Sequence, residues 1–236
     1  MKRKRGAEMK KPQLIRMKWR DALFAHWEKD PVEVARTLPD RMDVDTFRGK
    51  AYVGVVSFSM YDIRPFFLPG GTGLDFPELN LRTYVRVGGV PGIYFYNLDA
   101  ASPLGVWIAR RNFAIPYYQA RFSIRRHQSW TYWNHHRRSG NVRFRARYRA
   151  TGEQLPSAAG SLENWLAERY RFYTSKEGQI WYGDVVHEPW KLYQGEYEEE
   201  ENGLLPAGGF GHSDGHPAHV MVSPGVSVGA ARLRKK

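Results

Sequence analysis

Glu78–Val87 reads ELNLRTYVRV, turns at Gly88–Gly89, and resumes at Ile93–Leu98 as IYFYNL. Two runs of β-forming residues joined by a glycine pair predict a hairpin. In the first run Glu78, Asn80 and Arg82 share one face and Leu79 and Leu81 take the other, because side chains alternate along a strand. Polar groups pointing inward without partners cost several kcal/mol, so these three either pair in an internal ionic network or meet a ligand.

Outward from this hairpin the same pattern recurs. Lys50–Met60, Ala120–Arg125, Trp130–His135, Asn141–Arg149, Gln179–His187 and Val220–Val228 all read as strands. In Asn141–Arg149, Val142, Phe144, Ala146 and Tyr148 alternate with Arg143, Arg145, Arg147 and Arg149, the mark of a half-buried strand. Helices are fewer. Asp30 caps one over Pro31–Leu38, Pro103–Phe113 supplies a second, and Ser161 caps a third running to about Tyr170. Trp19, Leu23, Phe24 and Trp27 fall on one helical face, so Leu14–Trp27 reads as an extended entry followed by a short helix. Glu198–Glu201 reads as an acidic linker. Adjacent strands joined by short turns predict an α+β protein, mainly antiparallel β, in one domain.

Composition agrees with that class. The chain has 236 residues, with 42% hydrophobic and 25% charged residues, enough to bury one sizeable core. Eight Trp, 14 Tyr and 12 Phe suit a β-rich fold with a roomy interior. The net charge of +12 sits at the ends: residues 1–20 carry +8 and residues 232–236 carry +4, which leaves 21–229 neutral. We therefore divide the chain into a basic tail at 1–13, a single β domain at 14–229 and a second basic tail at 230–236, both tails solvated. No cysteine is present, which excludes disulfides and thiolate chemistry. The N-terminal run is not followed by the apolar stretch of a secretory signal, and no apolar run is long enough to span a membrane, so a cytoplasmic location is expected.

Several constellations invite functional readings. Ala100–Gly152 holds eleven Arg and no acid, interleaved with Phe122, Trp130, Tyr132, Trp133, Phe144 and Tyr148. Such a stretch can follow single-stranded nucleic acid. It can equally be a solvated face paired with acids elsewhere, and residues 153–202 carry eleven acids against four bases. His212, His216 and His219 have metal-like spacing, but Gly215 and Pro217 break the helix that would bring them together, so a solvated loop is expected and no metal. Neither Gly70–Gly73 nor Gly208–Gly211 leads into a phosphate-loop lysine. Between residues 21 and 229 the lysines are Lys29, Lys50, Lys176 and Lys191, none central in an apolar run, which argues against amine catalysis.

The polar groups set in apolar sequence carry a family resemblance. Trp19-Arg20-Asp21-Ala22-Leu23-Phe24-Ala25-His26-Trp27, Glu78 to Val85, Leu98-Asp99-Ala100, Ala109-Arg110, Pro116 to Ala120, Glu168-Arg169-Tyr170 and His187 to Leu192 together resemble the YqjF-like family of uncharacterised bacterial proteins, distant relatives of acetoacetate decarboxylase. The resemblance implies a cone-shaped, mainly antiparallel β-barrel with short flanking helices and an internal small-molecule cavity. In the decarboxylase relatives a Phe-Pro-Lys-Lys segment supplies the Schiff-base lysines. The similar segment here is Ile115-Pro116-Tyr117-Tyr118, with tyrosine at both lysine positions, whereas the relatives' catalytic Glu has its counterpart in Glu78. The resemblance thus implies a pocket for an anion or carbonyl compound without imine chemistry.

The resulting expectation is a protein that binds a small acidic or carbonyl metabolite, a keto or hydroxy acid, without a cofactor. Glu78, Tyr117 and Tyr118 are the candidate catalytic residues, the carboxylate as acid, base or acceptor and the phenols as donors to an oxyanion. Arg82, Arg110 and Arg169 are candidate carboxylate clamps, with Tyr170, His187 and Trp190 as further ligand-binding residues. Whether the pocket catalyses or only binds is left open, as is self-association. The alternatives are a nucleic-acid module using the Arg-rich stretch and the tails, and a non-catalytic scaffold. The tails alone predict non-specific attraction to nucleic acid.

Overall fold

The computed structural model describes residues 13–113, 115–212 and 216–236. Thirteen strands join in one sheet: β1 (Gln13–Lys29), β2 (Asp43–Val44), β3 (Ala51–Pro65), β4 (Leu74–Val87), β5 (Val90–Ala100), β6 (Tyr117–His127), β7 (Trp130–Arg137), β8 (Arg143–Gln154), β9 (Arg171–Lys176), β10 (Gln179–His187), β11 (Tyr193–Asn202), β12 (His219–Ala231) and β13 (Arg234–Lys235). Among the described residues four short helices accompany them: α1 (Pro31–Ala35), α2 (Pro103–Phe113), α3 (Leu162–Ala167) and α4 (Leu204–Ala207). All pairings are antiparallel except β5 with β6 and β5 with β9.

The sheet closes on itself twice. Strands β12, β1, β3, β4 and β5 run side by side. β5 then pairs with β9 at Ile93–Tyr94 and with β6 at Leu98–Ala100. At the other edge β12 meets β10 at Val228–Ala230 and β11 at Met221–Val222. One circuit returns through β9 and β10, the other through β6, β7, β8 and β11, and both share the five long strands. Leu23, Val55, Leu79 and Leu81 pack against Trp133, Phe144 and Tyr148 on one side of those strands. Phe24, Val56, Phe58 and Tyr84 pack with Leu166, Trp190 and Leu192 on the other. With both faces covered, Ala22–Trp27 and Ala51–Phe58 are buried without interruption, as strands inside a two-sided sheet must be.

This arrangement corrects the helix expected around Trp19–Trp27, which is part of β1. Asp21 adopts a left-handed φ of 54°, and Arg20 to Leu23 spans three steps against two in β3. That β-bulge inverts the alternation, so Trp19 before it and Phe24 after it lie on the same face. The i, i+4, i+5, i+8 spacing came from a phase change in a strand, not from a helical turn. Asp62 (φ 54°) does the same in β3, between Met60 and Ile63.

Glu198–Glu201 is likewise strand, not linker. Glu196, Glu198 and Glu201 of β11 lie opposite Arg149, Arg147 and Arg145 of β8 and accept hydrogen bonds from them at 2.5–3.1 Å. The Arg-rich face is therefore ion-paired at these positions. The C-terminal stretch expected as a free tail contributes β13, which pairs with Trp181–Tyr182, and the Lys236 amide donates to the Ile180 carbonyl at 2.9 Å. Helix α3 stops at Ala167, short of Tyr170, whereas the Asp30 cap and the bounds of α2 agree with expectation. Of the N-terminal tail, residues 1–12 lie outside the described residues. His219 belongs to β12, and Ser213–Gly215 in the middle of the histidine-rich segment are also outside them.

Candidate functional site

An apolar cavity of about 300 Å³ lies against the β9–β10 side of the shared strands. β4 forms its spine. Leu74, Phe76, Glu78, Asn80 and Arg82 all line it, as alternate residues of an unbroken strand must. Leu74 and Phe76 are half-buried, whereas Glu78, Asn80 and Arg82 are buried, so the polar residues occupy the inner half.

Glu78 sits in a desolvated niche. The Tyr117 hydroxyl donates to its Oε2 at 2.6 Å and the Asn80 Nδ2 to its Oε1 at 3.3 Å. Burial pushes the carboxyl up to about 7, against the pull of those two hydrogen bonds, and the Asp99 charge adds to the rise. Burial and the neighbouring carboxylate drive the Tyr117 phenol well above its usual range, so it stays protonated as a donor. A carboxyl that titrates near neutrality can give or take a proton there.

Arg82 is the unusual member. Its guanidinium is buried, forms no ion pair among the described residues, and leaves Nε and Nη2 without hydrogen-bond partners. It packs over the rings of Phe24 (5.4 Å) and Tyr84 (6.0 Å). Other guanidinia on the same wall have carboxylates: Arg169 donates to Asp45 at 2.9 Å, and Arg171 holds both oxygens of Asp184 at 2.7 and 3.2 Å. Asn80 Oδ1 is a further orphan beside them. The Arg82 charge acts on Glu78 and on the Tyr84 hydroxyl, favouring the ionised form of each, so the inner end of the cavity carries a cation that its neighbours feel but that forms no ion pair among the described residues.

Of the residues picked from sequence, Glu78, Arg82, Tyr117, Arg169, His187 and Trp190 share this cavity although they come from separate elements. Arg169 enters it already tied to Asp45 and to the Trp165 carbonyl, with Nη2 unpartnered. Burial lowers the affinity of His187 for a proton, and its Nδ1 donates to the Glu188 carbonyl at 2.8 Å, which leaves Nε2 as an acceptor. Trp190 is wall, stacked on Trp19 at 6.0 Å and edge-on to Phe24 at 5.0 Å.

Three residues fall outside the lining. Tyr118 packs beneath Arg137, with the guanidinium 4.2 Å from its ring centroid. Arg110 is exposed on α2, where its Nε donates to the Tyr117 carbonyl at 2.6 Å, so it braces the strand carrying Tyr117. Tyr170 is exposed, donates to Glu168, and lies tilted against the His187 ring with centroids 4.7 Å apart. Alternation explains the first: Tyr117 and Tyr118 point to opposite sides of β6, so only one can reach the cavity.

Other buried polar groups escaped the sequence reading. His26 Nε2 lies 2.7 Å from the Tyr84 hydroxyl, which donates onward to the Leu166 carbonyl. Burial and the Arg82 charge hold His26 well below the usual imidazole range. Asp45 bridges Arg169 and Arg86, and Asp99 accepts from Arg137 Nε at 3.0 and 3.1 Å. His26 carried a signal, standing beside Phe24 in an apolar run. Asp45, in a two-residue strand's shadow, carried none.

The geometry has counterparts. Uncharacterized protein YqjF of Bacillus subtilis strain 168 is 36% identical over 198 residues, covering 83% of this chain and 82% of its own. Acetoacetate decarboxylase from Legionella pneumophila superposes with a TM-score of 0.71 at 13% identity, over 98% of this chain and 93% of that one. The enduracididine biosynthesis enzyme MppR, solved with pyruvate, superposes with a TM-score of 0.65 at 10% identity, again over 98% and 93%. These two solved structures establish a shared acetoacetate-decarboxylase-like fold. Residues 16–227 match the profile of DUF2071, described as an uncharacterized conserved protein, and the chain belongs to that family.

Proposed function

We propose that the chain binds a small carboxylic acid carrying a carbonyl or hydroxyl group, with the carboxylate against Arg82 and the second group facing Glu78, Tyr117 and Asn80. The observation that carries this reading is the buried Arg82 guanidinium, unpaired on a cavity wall. A guanidinium binds a carboxylate through two parallel hydrogen bonds, and such a ligand would give the Arg82 Nε and Nη2 the acceptors they lack. MppR, of the same fold, is known with pyruvate, which supports the acid class. Among the described residues no lysine lines the cavity, so the reading needs no imine. If chemistry follows binding, it is proton transfer at the carbon next to the carbonyl, with Glu78 exchanging the proton and Tyr117 holding the carboxyl in place.

Titration calorimetry with pyruvate, acetoacetate and lactate tests the reading. Binding by the native protein, weakened at least about tenfold in Arg82→Met, is expected; losing a charge-assisted pair costs about that much or more. Equal binding by a folded Arg82→Met protein would remove the clamp and with it the proposal.

A further inference from the structure

We infer that the acid held at Arg82 carries an apolar tail of medium length, running from the polar inner end toward Phe76; this rests on the carboxylate reading above. The polar groups on the β4 spine stop at Glu78. From Glu78 outward the wall is Phe76 and Leu74, faced by Ile15, Met17 and Trp19 of β1 and by Met60 and Ile63 of β3, with Arg64, paired with Asp62 at 2.6 Å, as the charged member of this end. Arg82 and Glu78 are four residues apart, about 13 Å along an extended strand, roughly the reach of a ten-carbon acid hydrogen-bonded at Arg82, so the end of such a chain meets the apolar wall that begins at Phe76.

The β1 bulge makes this wall apolar. Before Asp21 the inward residues are Ile15, Met17 and Trp19, and the outward ones are the exposed Arg16, Lys18 and Arg20. Without the extra residue, keeping Phe24 inward would turn the basic set into the cavity. The apolar surface also continues outside. Phe66 and Phe67 follow the lining residue Pro65 and are 49% and 71% exposed, and Trp107, beside the lining Ile108 on α2, is 60% exposed. Volume points the same way. About 300 Å³ is roughly ten times the share of a water molecule in the liquid, which suits on the order of ten non-hydrogen atoms. Pyruvate fills only part of that, and the apolar half gains nothing from it.

The test is a homologous series of straight-chain carboxylates, acetate to dodecanoate, titrated below their micelle concentrations alongside pyruvate. Each methylene transferred from water to an apolar wall should tighten binding about three- to fourfold, up to roughly octanoate or decanoate, after which the gain ends. Octanol and octylamine should bind at least about tenfold more weakly than octanoate, since neither offers Arg82 a carboxylate. In Phe76→Glu, where the apolar wall begins, the ratio of decanoate to butyrate affinity should fall at least about tenfold. A flat series, or an unchanged ratio in Phe76→Glu, overturns the tail, while Arg82-dependent pyruvate binding in the same samples keeps the carboxylate site. Absence of binding by every acid overturns both.

Discussion

Glu78→Gln isolates the energetic consequence of burying a carboxyl on the cavity wall. Glutamine keeps the shape and an acceptor for the Tyr117 hydroxyl, and removes the titration. In the unfolded chain this carboxyl ionises from about its ordinary 4.5, whereas in the folded protein it holds its proton to about 7. The native state therefore binds the proton more tightly, and the resulting stability is complete below 4.5 and lost as pH rises through 7. The difference corresponds to roughly 3 kcal/mol. His26 works in the opposite sense. Its folded affinity for protons is depressed, so its contribution is present above about 6.5 and lost on acidification. The raw pH profile mixes the two, and only the difference between wild type and Glu78→Gln reports Glu78. Urea unfolding from about pH 5 to pH 8 should show the variant gaining roughly 2.5 kcal/mol on the wild type over that range, or about 5–10 °C in melting temperature. Tyr117→Phe, which removes a hydrogen bond that favours the charged form, should move the transition to higher pH. A difference constant within about 0.5 kcal/mol from pH 5 to 8 refutes the desolvated carboxyl.

Three further outcomes follow from the packing and chemistry. A Cβ at Gly54 would lie 2.7 Å from the His26 ring, so Gly54→Ala should cost about 1–3 kcal/mol in urea unfolding, and a neutral result would mean the His26–Tyr84 pair shifts freely. Borohydride treatment with acetoacetate should trap no site-specific adduct and the protein should not decarboxylate acetoacetate above background; a single modified Lys50, Lys176 or Lys191 on peptide mapping would restore imine chemistry. Deleting residues 1–11 should leave cooperative unfolding intact, because the first strand begins at Gln13, and should abolish most salt-sensitive oligonucleotide binding; tight binding by the truncated protein would instead promote the Arg-rich face.

What was legible in the sequence follows the range of the forces involved. The β4 alternation and the Gly88–Gly89 turn are local, so the hairpin and the inward trio Glu78, Asn80 and Arg82 could be read directly. The β1 bulge is set by its pairing with β3 and β12, and without those partners Trp19, Leu23, Phe24 and Trp27 mimic a helix. Glu198–Glu201 looked like a linker because the strand it belongs to is held by Arg145, Arg147 and Arg149 across the ladder, about fifty positions away in the chain. The site divides similarly. Glu78 and Tyr117 were found as members of one cavity, but Arg82 and Arg169, equal in sequence, differ in structure because Asp45 lies beside only the second. That distinction, between a guanidinium paired with a carboxylate and one with no ion pair, is a tertiary fact. So is the role of Tyr118, which one step of alternation removes from the cavity.

A crystal structure grown with octanoate tests the account most directly. The carboxylate should lie within about 3 Å of an Arg82 guanidinium nitrogen, with its chain passing Asn80 and Glu78 toward Phe76. An acid bound elsewhere, or an Arg82 that pairs with a protein carboxylate while the cavity takes no acid, would contradict it.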